Sequence, residues 1–127
     1  MPQRATKYSA GYDFYAIEHE IIPPNQMKRI DTGIKVKLPE GFFLLIANRS
    51  SNPSKKGLML ANGVGVIDKD YYDTPCTIQF EFYNITKSPV VIQPGEKLGQ
   101  GIIAHKFLTS DDKATGKRNG GFGSTGR

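Results

Sequence analysis

Cys76-Thr77-Ile78-Gln79-Phe80-Glu81-Phe82 is the stretch on which the reading of this chain turns. Apolar side chains occupy every second position, with Thr77, Gln79 and Glu81 between them. Successive side chains of an extended chain point to opposite faces, so the spacing predicts a strand buried on one side. Ile34-Lys35-Val36-Lys37-Leu38 alternates in the same way. Phe42-Phe43-Leu44-Leu45-Ile46-Ala47 and Val90-Val91-Ile92 are unbroken apolar runs, predicted to be strands covered on both faces. Turn formers separate these stretches at Pro23-Pro24-Asn25, Pro39-Glu40-Gly41, Asn52-Pro53 and Pro94-Gly95. No segment sustains an i, i+3, i+4 apolar pattern, so at most a short helical turn is expected, around Ser51 to Lys56. Many short strands joined by tight turns imply an all-β fold, a jelly roll or a related β-barrel or sandwich.

The 127 residues suffice for one compact domain, with 38% apolar and 23% charged residues, ordinary values for a globular chain. The expected core covers residues 1–112; beyond it the sequence turns polar and glycine-rich, and residues 113–127 are read as a flexible C-terminal arm. The longest apolar run is too short to span a bilayer and no basic-then-apolar leader opens the sequence, so a cytoplasmic protein without membrane contact is expected. Cys76 stands alone and is read as a small packed side chain in a strand. His19 and His105 are the only histidines, too few for a zinc site of recognisable spacing, so any metal should be oxygen-bound. The net charge of +5 is scattered rather than gathered into a stripe with stacking aromatics, which suits a small polyanion better than nucleic acid.

Four segments carry candidate chemistry. Asp68 and Asp70 close the glycine-bearing stretch Gly63-Val64-Gly65-Val66-Ile67 and would leave one face of a strand, placed to orient a water, accept its proton or hold a cation; a solvated turn is an equal reading. Arg49-Ser50-Ser51 offers a planar guanidinium beside two hydroxyls, a match for phosphate oxygens, although a loop with a cap serine is the commoner meaning of such a tripeptide. Gln100 lies between Gly99 and Gly101, an amide with room for close backbone approach or simply a strand-edge glutamine. Gly121-Phe122-Gly123-Ser124-Thr125-Gly126 matches the dinucleotide-binding string GxGxxG, but only Arg127 follows and no helix is offered to a pyrophosphate. Its amides and hydroxyls could wrap an anion as a backbone nest, and Phe122 could stack on a base; composition alone reads the segment as a functionless end.

In order along the chain, Ala10-Gly11-Tyr12-Asp13-Phe14, Arg49-Ser50-Ser51, Asn62 to Tyr71, Gly95-Glu96-Lys97-Leu98-Gly99-Gln100 and Gly120 to Gly126 resemble the motifs of the trimeric dUTPase family. The resemblance spans nearly the whole chain, and the joint presence of IDxDY and GGFGSTG makes it specific. It implies a jelly-roll homotrimer that hydrolyses dUTP to dUMP and pyrophosphate with Mg²⁺, at sites shared between chains. By position it implies Asp68 as the general base that activates water against the α-phosphate. It implies Tyr71 as the ring against the deoxyribose, Asn62 and the surrounding hairpin, with Val66, as the uracil site, and Arg49, Ser50, Ser51 and Gln100 as phosphate contacts. Asp13 would stand near a metal held mainly by the triphosphate, and Arg118, Phe122, Gly123, Ser124 and Thr125 would belong to an arm closing over a neighbouring subunit's site.

Three departures mark this chain. Tyr72-Asp73 follows Tyr71 where the family has a glycine two places after the tyrosine; Lys117 takes the position of the arm's arginine, with Arg118 one step later; Gly99 and Gly101 replace apolar neighbours of Gln100 and are expected to loosen that strand. Two other functions fit parts of the pattern: a deoxycytidine triphosphate deaminase, and a nucleotide-responsive protein that engages a regulatory protein partner.

Overall fold

The computed structural model describes residues 1–118 and 120–122. Among the described residues nine strands form three sheets: β1 (Tyr12–Tyr15), β2 (Glu20–Ile22), β3 (Met27–Asp31), β4 (Phe42–Asn48), β5 (Leu58–Leu60), β6 (Gly65–Ile67), β7 (Gln79–Asn84), β8 (Val90–Ile92) and β9 (Lys97–His105). One sheet has the order β1-β9-β4-β6, a second the order β3-β7-β5, and β2 pairs with β8 as a separate ribbon. Every pairing is antiparallel. Among the described residues helical structure is confined to single turns at Asn52–Lys56 and Lys69–Asp73. The first is the turn expected after Arg49, stopped by Gly57 in the left-handed region at φ 65°. The chain is an all-β jelly roll, and among the described residues no helix is long and apolar enough to cross a membrane.

The core lies between the two larger sheets. Phe14 of β1 meets Phe80 of β7 at 6.0 Å between ring centroids, and Phe80 stacks on Phe82 at 6.2 Å. All three rings are buried, each worth about 1.5–3 kcal/mol of transfer free energy. Room for them comes from β9: a Cβ at Gly99 would lie 2.5 Å from an edge carbon of Phe80, and one at Gly101 2.7 Å from an edge carbon of Phe14. The two glycines therefore do not loosen the strand. They let one ring from the adjacent strand and one from the facing sheet press against the backbone of the nine-residue strand β9.

Alternation predicted burial better than it predicted pairing. Ile34, Val36 and Leu38 do turn inward while Lys35 and Lys37 face out, yet residues 32–39 join no ladder in the single chain. The ladder of β7 begins only at Gln79; Cys76 lies before it, half-buried against the core rather than within a strand. Val91 is 43% exposed, so β8 is covered on one face and not on both. Asn84 is buried, its amide donating to the carbonyls of Ile22 and Ser88, which removes the formal glycosylation sequon Asn84-Ile85-Thr86 from the surface.

Candidate active site

A tight turn between β5 and β6 sets the first part of the site. Gly63, at φ 75°, lets its N–H donate to the Leu60 carbonyl, and the Val64 N–H donates to the Asn62 carbonyl, so Asn62 projects at the tip. β6 then runs against β4 with Ile67 opposite Leu44 and Gly65 opposite Ile46. Asp68 ends the strand in extended conformation, and its carbonyl accepts the Tyr71 N–H at 3.1 Å as the chain enters a 3₁₀ turn. Asp68 and Asp70 thus do not share a strand face, as their spacing predicts. The turn brings them together instead, and both carboxylates meet one guanidinium: Arg118 bonds Asp68 Oδ2 through Nη2 and Asp70 Oδ1 through Nε at 2.8 Å. Its Nη1 donates to the Gly120 carbonyl at 2.9 Å, so each of the three guanidinium nitrogens has a partner.

Tyr71 is 6% exposed and donates its hydroxyl to the Thr77 carbonyl at 2.8 Å. Burial, reinforced by Cys76 and Asp31, pushes its phenol up to about 12. The hydroxyl is therefore a fixed donor, and the ring is left as a surface. Gly121 lies flat on that ring, where a Cβ would stand 2.8 Å from Tyr71 Cε1. Between these parts is a pocket of ≈140 Å³ lined by Asn62, Val66, Tyr71, Arg118 and Phe122, together with Ile46, Leu60 and Gln79. It is smaller than the roughly 300–1,000 Å³ of a drug-sized site and is scaled to one ring rather than a whole nucleotide. Gln79 was read only as the polar face of a strand. Its place beside Asn62 depends on β7 and the β5–β6 turn meeting across the sheet, which local spacing does not record.

A second group lies elsewhere. Gln100 on β9 stands opposite Asp13 of β1 on one side and Ala47 of β4 on the other. Gly11 is the reason that amide fits: a Cβ there would lie 2.5 Å from Gln100 Oε1. Asp13 pairs with Lys97 at 3.4 Å. Arg49, Ser50 and Ser51 follow the end of β4, and Ser51 precedes the Asn52–Lys56 turn without capping it through its side chain, so the cap-serine reading does not hold. Buried Asn52 pins this corner, its amide donating to Asn48 Oδ1 and to the Leu98 carbonyl, both at 2.9 Å. Asn48 in turn donates to the Leu58 carbonyl at 3.0 Å.

Asp68 and Arg49 stand at opposite ends of β4. The β4–β6 register puts Asp68 level with Phe43, and the six steps from there to Arg49 span about 20 Å. Asp68, Tyr71, Asn62, Val66, Arg118 and Phe122 are brought together in one chain, while Asp13, Arg49, Ser50, Ser51 and Gln100 are not brought to them. Gly123, Ser124 and Thr125 lie outside the described residues. Among the described residues no group of three or more His, Cys, Asp or Glu is placed to hold a metal ion.

Residues 1–126 match the family model described as dUTPase. Among curated relatives, the deoxyuridine 5'-triphosphate nucleotidohydrolase of Lactococcus lactis is 44% identical, over 99% of this chain and 87% of that protein. The enzyme of the same name from Yarrowia lipolytica is 34% identical, over 98% of this chain and 81% of its own. Among solved structures, a dUTPase from Streptococcus mutans superposes with a TM-score of 0.85 at 39% identity, over 87% of this chain and 88% of that one. A dUTPase from a phage of S. aureus, in which a structural Mg(II) ion is coordinated, shares the fold with a TM-score of 0.79 at 24% identity, over 90% of this chain and 88% of that one.

Proposed function

The chain belongs to the dUTPase family, and from that premise we propose that it hydrolyses dUTP to dUMP and pyrophosphate in the cytoplasm, with Asp68 as the general base. The observation that carries the reading is that Arg118, which lines a one-ring pocket together with Tyr71, Gly121 and Phe122, also bonds the Asp68 carboxylate. Uracil would occupy that pocket, read by Asn62 and the backbone of its turn, with Val66 against the ring. A buried hydrogen-bonding edge rejects a base whose donors and acceptors are reversed, because its own groups are then left unpaired. The deoxyribose would rest on the Tyr71 ring in the place that Gly121 fills in the free chain, its C2′ facing the ring so that a 2′-hydroxyl would be disfavoured.

Asp68 would take a proton from water as the water oxygen bonds to the α-phosphorus and the bond from that phosphorus to the bridging oxygen breaks. Pyrophosphate leaves with that oxygen, and no protein nucleophile is consumed. Arg118 engages one oxygen of Asp68, and its fork suits phosphate as well as carboxylate; a triphosphate would draw it away and free the base. Arg49, Ser50, Ser51 and Gln100 are assigned to the phosphates. The residues fit Mg²⁺ in the manner of a hard cation that keeps few protein ligands: oxygen donors only, with Asp13 the carboxylate at the phosphate end, and the substrate's own oxygens as the main ligands. When bound, the ion would neutralise charge on the pyrophosphate.

Asp68 and Arg49 are about 20 Å apart along β4 of one chain, too far for both to serve one phosphate group. We therefore assign the complete site to a homotrimer in which the phosphate corner of one copy serves the pocket of another. The extended stretch at residues 35–39, beyond the bonds that Thr32 and Ile34 exchange with Ile78, and the exposed Phe107 and Leu108 support an assembly of copies. Arms exchanged between copies would find the same contacts on a neighbour, since each copy presents the same Asp68, Asp70 and Tyr71. Pyrophosphate release measured with dUTP, dCTP, dTTP and UTP, with and without Mg²⁺, tests the reading. Release from dUTP alone, dependent on Mg²⁺, is expected; ammonia from dCTP would replace it with a deaminase.

A further inference from the structure

Phe122 is held by a contact that the catalytic reading does not use. Its ring lies 3.8 Å, centroid to guanidinium carbon, from Arg29 on β3. Arg29 is fixed in turn by Glu81 on β7, its Nε donating to Glu81 Oε2 at 2.8 Å. The two residues stand directly opposite each other in the β3–β7 register, so the pair is set by the sheet and not by chance surface geometry. Phe122 also has a left-handed backbone, φ 50°, a conformation that a bulky residue keeps only where its surroundings impose it.

The arm is thus seated at three points in a row: Arg118 on Asp68 and Asp70, Gly121 on the Tyr71 ring, and Phe122 on Arg29. The first two points touch groups already assigned to the reaction. The third touches nothing that reacts. We propose that Arg29, held by Glu81, is a positioning residue: its guanidinium is the platform on which Phe122 sits, and it sets how the arm closes the base pocket. The proposal rests on the reading of the pocket as the nucleotide site, but the platform itself is defined without nucleotide. A planar cation on an aromatic face is a stronger seat than an ammonium, so lysine should replace Arg29 only in part.

The chain contains no tryptophan, so Phe122→Trp places a single reporter in the seat. In nucleotide-free protein, adding Arg29→Ala to that reporter should raise its quenching by acrylamide about two-fold, with Glu81→Gln giving a smaller rise and Arg29→Lys an intermediate one. In the protein with native Phe122, Arg29→Ala should raise KM for dUTP about two- to five-fold while kcat stays within a factor of about two, since the seat is made before and during the reaction alike. The Arg29 side chain is 53% exposed, so these variants should fold, and circular dichroism confirms that they do. Quenching unchanged by Arg29→Ala in folded protein would overturn the platform, whatever happens to KM. A protein that shows the quenching contrast but releases no pyrophosphate from dUTP would instead overturn the nucleotide reading and leave the platform standing.

Discussion

The two ends of β4 teach different lessons. At the Asp68 end the polar groups are already occupied: two carboxylates share one arginine, a tyrosine is tied to a carbonyl, and the arm lies over a pocket. At the Arg49 end the groups are less occupied: Asp13 pairs with Lys97, but Ser50 is exposed and Ser51 makes no cap bond beside the Asn48–Asn52 network. One end holds its partners within the chain; the other is built to receive something. In the proposed trimer, the half that one copy only frames would be completed by its neighbour.

The largest effect should come from separating the ends by mutation. Asp68→Asn alone should lower kcat by about 10²–10⁴-fold while dUTP still binds, and Arg49→Ala alone should be similarly impaired. Unfolded together in equal amounts and refolded, the two chains should recover about a quarter of wild-type turnover, because random assembly joins an intact Asp68 to an intact Arg49 at that frequency. No recovery in mixed trimers would return both ends to one chain and break the comparison. A smaller effect is expected at the receiving end. Gly11→Ala drives a methyl into Gln100 Oε1 and should cost about 1–3 kcal/mol in a thermal melt, with a loss of kcat/KM larger than stability accounts for. If kcat/KM holds, Gln100 is no phosphate contact.

The smallest effect belongs to the occupied end. Tyr71→Phe keeps the ring and removes the bond to Thr77, for about 1 kcal/mol. Its pH dependence has a definite sign. The unfolded phenol loses its proton near 10 and the folded one near 12, so the stability it contributes is complete below pH 10 and declines as pH rises from there to about 12. In chemical denaturation across that window Tyr71→Phe should show a flatter alkaline decline than the native protein; parallel curves would show that the buried hydroxyl is not what resists ionisation.

What the sequence disclosed follows the same division. The alternation at 76–82 and 34–38 reports which faces are buried, since burial selects side chains locally. It does not report pairing, which depends on a partner strand; hence the second stretch is amphipathic yet unladdered. IDxDY and GGFGSTG named the groups of the occupied end, but the convergence of Asp68 and Asp70 came from a 3₁₀ turn that strand spacing does not foresee. Gln79 and Arg29 were invisible because they reach the pocket and the arm across the sheet from remote sequence. Gly11, Gly99 and Gly101 acquire meaning only once the side chains that need their space are seen.

The unladdered stretch Ile34-Lys35-Val36-Lys37-Leu38 also bears on the life of a newly made chain. An extended edge with a greasy inner face is the kind of surface on which strands of unrelated chains add one after another into aggregates. Lys35 and Lys37 stand on its outer face, and Lys35 is drawn over the Tyr72 ring and onto the Thr74 carbonyl. Repeated stacking of such an edge would bring like charges into register at every layer, whereas a closed ring of a few copies need not. The charge of the two lysines would therefore weigh more against a fibre than against a small closed assembly.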